Sequence, residues 1–265
     1  VSSRNGDELR VALLGLGEAG GRIAADLVAL GVPVSGWDPD PSRLVAGVAS
    51  AEDASAAVSG AHVVLSVTTA SAALRAAEDC ASGLAPGALF ADLSTAAPSA
   101  KVAVAAALAG TGVLFADVAL MAPVPERGLA TPALASGPGA EAFADRLGSY
   151  GMPVQVVGDE VGMAAERKLL RSVFAKGLAA AVLESLDAAA AAGCEEWLRD
   201  EIASTLTAAD GTLLERLVEG SRRHAVRRVE EMEAACELLR DLGVEPRTAA
   251  GTAALLADLA ARARA

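Results

Sequence analysis

A glycine-punctuated turn between two apolar runs constrains this chain more than any other feature. Arg10-Val-Ala-Leu-Leu-Gly15 is a short apolar run ending in glycine, the pattern of a strand buried in a parallel sheet. Gly15-Leu16-Gly17-Glu18-Ala19-Gly20 follows, then a helical pattern through Ile23, Leu27 and Leu30 that Gly31 stops. Val32 to Trp37 resumes as a strand and ends at Asp38. Strand, spaced glycines, helix, strand and acid within about 30 residues form a dinucleotide-binding fingerprint in its proper setting. Gly15 permits the tight turn, Gly17 lets a pyrophosphate approach the backbone, and Gly20 lets the helix pack close to the strand. The helix N-terminus then offers N–H groups and a positive dipole end to the phosphates. Asp38 can accept hydrogen bonds from ribose hydroxyls and repels a 2′-phosphate, which favours NAD over NADP. Arg43, nearby, could instead pair with that phosphate, or be an ordinary solvated arginine.

The alternation of strand and helix continues. Ala51 to Ser59 reads as a short helix opened by acids, and His62 to Val67 as a strand running into Thr68 and Thr69. Val67, Thr68 and Thr69 are therefore placed at the cofactor edge. Ala88 to Asp92 is the next strand, followed by Leu93-Ser94-Thr95 and a helix opened by Pro98. Ser94 and Thr95 stand where open parallel sheets bind ligands, at a strand's carboxyl end. They could equally cap that helix. Gly112 to Leu120 reads as a strand running into the proline-rich loop at Met121-Ala122-Pro123. Pro132 to Ser136 and Met152 to Val157 read as the last strands, with a helix between them. Beyond Gly158–Gly162 nearly everything has helical periodicity: 195–206, 211–218, 221–242 and 247–263.

The expected architecture is an α/β Rossmann domain over 8–160, then an all-helical C-terminal domain over 161–265. A long interdomain helix joins them. The net charge of −12 argues against a nucleic-acid partner, because neutralising phosphates needs clustered cations. No apolar run is long enough for a membrane span. The polar opening segment Val1 to Glu8 lacks the apolar stretch of a signal peptide. Cys80, Cys194 and Cys236 are scattered and odd in number, and match neither a disulfide framework nor a zinc site. No metal is expected, and reduced thiols suit a cytoplasmic protein.

The stretch from Gly162 to Leu186 carries Lys168 and Lys176 in a largely apolar helical run. At 100° per residue, Ser172 lies about 40° and Lys176 about 80° from Lys168, so all three can face one cleft. A buried lysine either finds a partner or loses its proton, and its pKa falls towards the range useful for acid/base work. The alternative is that both snorkel to solvent along a helix edge. A dense cluster, Arg222, Arg223, His224, Arg227 and Arg228, reads as lying near a helix start, where cations oppose the dipole. It suits an anionic partner, or pairing with Glu230, Glu231 and Glu233.

Gly15-Leu-Gly-Glu-Ala-Gly20, Asp92-Leu-Ser-Thr95 with Pro98, Asp117 before a loop, and Gly162 with Lys168 together resemble the β-hydroxyacid dehydrogenases. That superfamily includes 3-hydroxyisobutyrate and 6-phosphogluconate dehydrogenases. The C-terminal pattern from Arg222 to Met232 looks like a divergent subgroup with an uncharacterised helical domain. The resemblance implies an NAD- or NADP-dependent, homodimeric oxidoreductase. It would interconvert hydroxyl and carbonyl on a small, anionic, 3-hydroxyacid-like substrate, with Lys168 as general acid and base. Ser94, Thr95, Met121, Ala122, Ser172, Lys176 and His224 are the candidate substrate contacts, His224 across a dimer. Three positions depart from the family pattern. Met121-Ala122-Pro123 replaces Ser-Gly-Gly, so a backbone donor is lost at Pro123. Ser172 stands where the family has asparagine, and Glu230-Glu231-Met232 where it has Lys-Asp-Leu. Two other readings remain open: reduction of C=N bonds, and a dinucleotide-binding module without catalysis.

Overall fold

The computed structural model describes residues 9–263, so the polar opening segment lies outside the described residues. The chain divides into two compact units, one ending at Leu170 and the other beginning at Arg171.

The first unit is built on one sheet. Strands β1 (Val11–Leu14), β2 (Val34–Trp37), β3 (Ala49–Ser50), β4 (Val63–Ser66), β5 (Leu89–Asp92), β6 (Leu114–Leu120), β7 (Ala133–Ser136) and β8 (Val154–Gly158) lie in the order β3-β2-β1-β4-β5-β6-β7-β8. All neighbours are parallel except β6 and β7, which pair antiparallel. The order reverses between β1 and β4, and in open α/β sheets that crevice is where ligands bind. The two-residue β3 lies just before the segment read as a short helix over 51–59, of which Ala54–Val58 is helical.

Both faces of the sheet are covered. In β1, Val11 and Leu13 join one core cluster while Ala12 and Leu14 join the other, as a strand's two-residue period requires. Helix α1 (Glu18–Ala29) covers the first face with Ile23 and Leu27, both fully buried. Each such side chain contributes about 1.5–3 kcal/mol. Helices α2 (Ala54–Val58), α3 (Ala73–Cys80) and α4 (Pro98–Ala107) cover the second face. Cys80 is one of its packing residues, and burial pushes its thiol up to about 12, so it stays protonated near neutrality. Short α5 (Val124–Arg127) and α6 (Ala140–Gly148) follow, and α6 adds Phe143 and Leu147 to the first face.

Helix α7 (Met163–Ala191) is the long link between the α/β part and the helical region. It is followed by α8 (Glu195–Thr207), α9 (Gly211–Arg223), α10 (Ala225–Asp241) and α11 (Arg247–Arg262). The second unit's described core is small: Ala188, Cys236, Leu239 and Ala249, with Met232, Leu242 and Val244 packed against it. Helix α10 stops at Gly243, whose φ of 76° allows Val244 N to reach the Leu239 carbonyl at 2.8 Å. Glu184 of α7 holds the start of α11, accepting from Thr248 N at 2.6 Å and Ala249 N at 2.8 Å. Partial desolvation raises that carboxyl's pKa, but the amide donors outweigh it and hold the group below the ordinary glutamate value.

The basic cluster is not at a single helix start. Arg222 and Arg223 close α9, where cations complement the dipole, and His224 is the junction before α10. Two of its arginines pair locally, Arg222 with Glu219 at 3.0 Å and Arg227 with Glu231 at 3.4 Å. Among the described residues, no helix is long and apolar enough to cross a membrane.

Candidate cofactor and catalytic site

The glycine turn after β1 builds the site's floor. Gly15 has a φ of 93°, and a Cβ there would sit 2.5 Å from the Val67 carbonyl oxygen. At Gly20 a Cβ would meet the Gly15 carbonyl oxygen at 1.9 Å, so α1 packs on the turn with no room for a side chain. Gly17 is the N-cap of α1, and no side chain caps that end. A Cβ on Gly17 would meet only the tip of Arg43, at 2.7 Å, which can swing away. The first turn of α1 is thus open to an anion.

Two cavities meet over this floor. The larger, about 520 Å³, takes in Gly15, Gly17, Asp38, Arg43 and Val67 to Thr69, with Trp37 and Arg75 on its wall. The second, about 330 Å³, runs from Gly17, Glu18, Ala19 and Gly20 past Val67 to Thr69, and on to Thr95, Ala122 and Lys168. Together they form an elongated cleft at the carboxyl ends of β1, β4 and β5. Thr68 Oγ1 is buried there without a hydrogen-bond partner. The glycine floor, the open helix end and this orphaned hydroxyl all fit a bound dinucleotide.

Asp38 has a second role that its sequence position did not reveal. Its Oδ2 accepts from Leu16 N at 2.7 Å and its Oδ1 from Asp40 N at 2.9 Å. It therefore braces the glycine turn as well as facing the cavity, and Leu16 contributes through its backbone. Arg43 pairs loosely with Asp38 at 3.8 Å and with Asp40 at 3.4 Å. The Asp40 carboxyl is held below its ordinary value, first by the Ser42 hydroxyl and amide, then by Arg43.

At the other end, Lys168 Nζ donates to Thr95 Oγ1 at 2.8 Å. Lys168 sits one turn into α7 and Thr95 just past β5, so the contact joins two elements far apart in sequence. Ala122 lines the same cavity, and Met121 is tied back through its N–H to the Pro132 carbonyl at 2.8 Å. Ser94 is drawn inward instead: it is 3% exposed and its hydroxyl accepts from Lys101 Nζ at 3.3 Å. Neither Ser94 nor Thr95 caps α4, whose N-cap is Ala97. Ser172, Lys176 and His224 belong to the second unit. Lys176 is exposed, and so are its neighbours Val173 (75%) and Phe174 (69%), so the apolar run does not bury its charge.

A buried charge centre beside the cleft went unread in the sequence. Ser66, Asp92, Asp117 and Ser136 stand in register across four adjacent strands, and all are fully buried. Lys101 of α4, also fully buried, enters this row. Its Nζ lies 3.1 Å from Asp92 Oδ2 and 3.5 Å from Asp117 Oδ1, and donates to the Asp92 carbonyl at 2.8 Å. Neither of those carboxylate oxygens makes an aligned hydrogen bond, so with them the attraction is ionic. Asp92 Oδ1 accepts from Ser94 N at 2.9 Å. Asp117 Oδ2 accepts from the Ser136 hydroxyl at 3.2 Å and from Ala165 N at 3.0 Å. Two carboxylates thus share one ammonium, and the excess negative charge faces the N-terminus of α7. Removing one member would leave a buried charge uncompensated, at a cost of about 3–5 kcal/mol. A signal existed: Lys101, Val104 and Leu108 share one helix face, and the last two are buried apolar residues.

Comparison with known proteins accords with this geometry. Residues 10–124 match the NAD binding domain of 6-phosphogluconate dehydrogenase, and residues 189–259 match a domain of unknown function, DUF1932. A conserved hypothetical protein from Sinorhizobium meliloti 1021 is 30% identical, with 94% of this chain and 88% of that one covered and a TM-score of 0.63. The chain belongs to a Rossmann-fold NAD(P)-binding superfamily related to 6-phosphogluconate and 3-hydroxyacid dehydrogenases. Similarity of fold alone extends to a reductive aminase from Aspergillus terreus in complex with NADPH and ethyl-5-oxohexanoate. That enzyme is 18% identical, with 96% and 94% of the two chains covered and a TM-score of 0.79. A curated relative from Methanothermus fervidus, an uncharacterised 28.5 kDa protein, is 38% identical over 96 residues. That match spans 35% of this superfamily member and about a third (36%) of the relative.

Proposed function

We propose that the protein is an NAD(P)-dependent oxidoreductase in which Lys168 exchanges a proton with the heteroatom of a C=O or C=N bond. The contact between Lys168 and Thr95 carries this reading, because it lies in a cavity continuous with the dinucleotide cleft. When bound, the nicotinamide cofactor supplies or takes the hydride. Lys168 Nζ delivers a proton to the heteroatom as the adjacent carbon is reduced, and takes it back in oxidation. Thr95 orients the amine, and Leu93, Leu120 and Val124 give that end of the cavity an apolar wall.

One observation moves the substrate away from a 3-hydroxyacid and towards C=N reduction. Among the described residues lining that cavity, Lys168 is the one cation, and Pro123 beside Ala122 has no N–H to offer a carboxylate. A substrate carboxylate would compete with the reacting heteroatom for the same ammonium. The resemblance to imine reductases and reductive aminases agrees with a neutral substrate. For the cofactor we favour NAD, since the Asp38 carboxylate faces the cavity that would hold the ribose.

Disappearance of NADH or NADPH, followed over cyclic imines, ketones with added amines, and 3-oxoacids, tests these choices. Turnover of neutral C=N substrates is expected, with NADH preferred about tenfold, a difference of about 1.4 kcal/mol. Turnover confined to 3-oxoacids returns the assignment to hydroxyacid chemistry. Tight dinucleotide binding with no turnover on any panel makes the protein a binding module. An equal rate with both cofactors removes the selectivity role of Asp38.

We also propose a homodimer. In the second unit Val173, Phe174 and Leu183 of α7, Leu214 and Leu217 of α9, and Leu255 of α11 are all more than half exposed. Large apolar side chains left exposed on three helices of one unit suit burial against a second copy. Sedimentation should give twice the chain mass, and a species of 26.4 kDa at micromolar concentration would refute the dimer.

A further inference from the structure

We infer that the buried Lys101–Asp92–Asp117 centre is a positioning device that holds Lys168 and Thr95 in register. This rests on the proposed proton-exchange role of Lys168. Lys101 is fully buried and lines neither cavity of the cleft, so it does not meet substrate itself. What it holds is on both sides of the Lys168–Thr95 contact. On one side, its ammonium binds the Asp92 carbonyl and Ser94 hydroxyl, fixing the chain immediately before Thr95. On the other, Asp117 Oδ2 accepts from Ala165 N and Ser136 Oγ accepts from Ala164 N at 3.0 Å. Those amides lie in the first turn of α7, and Lys168 follows three and four residues later, on the same side of the helix. Gly162 closes the frame: a Cβ there would lie 3.0 Å from Pro98 Cβ, so the start of α7 sits directly on the start of α4.

The bonds are strong where the arrangement needs them. A helix N-terminus leaves amides without partners within the helix, and here two of them are received by a buried carboxylate and a buried hydroxyl. Asp117 in turn stands 3.5 Å from the Lys101 ammonium. The ammonium, the carboxylate, the helix start and Lys168 therefore form one chain of contacts. Asp92, the Asp92 carbonyl and Ser94 form the second chain, ending at Thr95.

The sequence's lysines are Lys101, Lys168 and Lys176, which makes amine labelling a residue-resolved probe that needs no substrate. Acetylation rates at each lysine, resolved by mass spectrometry, would be compared in the wild type and in Ser136→Ala, Ser136→Thr, Asp117→Asn and Lys101→Met. Exposed Lys176 serves as the reference. Ser136→Ala and Asp117→Asn should raise the Lys168/Lys176 ratio at least threefold while Lys101 stays protected. Ser136→Thr, which keeps the hydroxyl, should restore the wild-type ratio. Lys101→Met should give the largest rise. If it does not fold, Ser136→Ala and Asp117→Asn decide the matter alone. An unchanged ratio in both, or a rise at Lys101 equal to that at Lys168, overturns the positioning role, the second because it signals general opening of the core. The acid/base reading fails separately, if Lys168→Ala retains turnover.

Discussion

Lys168→Ala should lower turnover by about 10²–10⁴-fold while leaving dinucleotide affinity within about threefold. A positioned acid/base contributes that range of rate, because without it the developing charge on the heteroatom must find its proton in water. The holds proposed for the cofactor are elsewhere, on the glycine turn and the open end of α1, so truncating Lys168 should leave them intact. Lys168→Arg should be nearly as damaging. Guanidinium keeps its proton at any working pH, so it can hold a charge near Thr95 but cannot exchange the proton. The two measurements are steady-state turnover on whichever substrate class responds, and cofactor affinity by fluorescence of the reduced nicotinamide. Wild-type turnover in Lys168→Ala would show that the amine has no part in the chemistry. A parallel loss of cofactor binding would assign Lys168 to the cofactor instead.

Gly20→Ala should fail at both stability and binding, whereas Gly17→Ala should fail at binding alone. At Gly20 the new methyl would overlap the Gly15 carbonyl oxygen, which is backbone and cannot turn aside. Helix α1 must lift from the turn, taking buried Ile23 and Leu27 with it. A cost of about 3 kcal/mol, at the upper end for overpacking, is expected. That corresponds to a fall of roughly 6–12 °C in the thermal transition of the α/β unit. At Gly17 the methyl meets only the movable end of Arg43, and φ of −63° suits alanine. Its stability should be near wild type. It would nonetheless fill the space through which a pyrophosphate reaches the helix end, so dinucleotide affinity should fall at least tenfold. Scanning calorimetry and cofactor titration on the two variants separate these effects. Equal thermal stability of Gly20→Ala and wild type would mean that the close packing of α1 on the turn is not maintained in solution.

Much of the fold was legible because its causes are local. A buried parallel strand shows itself as an unbroken apolar run, and Val11–Leu14 and Val63–Ser66 were readable for that reason. Pro98, Gly31 and Gly243 announce helix ends through their own backbone constraints. One pairing direction was not legible. Ala133–Ser136 pairs antiparallel with Leu114–Leu120, yet its apolar run looks like that of the parallel strands, because both kinds are largely buried on both faces here. The helical half was readable in its segments but not in where one helix ends, and a single residue, His224, separates α9 from α10. That shift converts Arg222 and Arg223 from cations opposing a helix start into cations supporting a helix end.

The candidate site divides in the same way. The glycine turn, Asp38 and Thr95 were singled out by residue type at a fixed distance from a strand end, and Lys168 by the family resemblance; the roles given to them are proposals. What only the tertiary structure decided is who faces whom. Asp38 is partly engaged by the amide of Leu16, Ser94 turns inward to Lys101, and Lys176 stands in solvent although its neighbours in sequence are apolar. The same strand-end position that made Ser94 a candidate contact put its hydroxyl within reach of a buried ammonium. The charge centre itself draws on β5, α4, β6, β7 and the start of α7, residues spread from Asp92 to Ala165. The sequence alone determined that a dinucleotide cleft would form after the first strand. Only folding determined that a buried lysine and two aspartates would stand beside it, because that arrangement depends on strand register and long-range packing that no single stretch of the chain encodes.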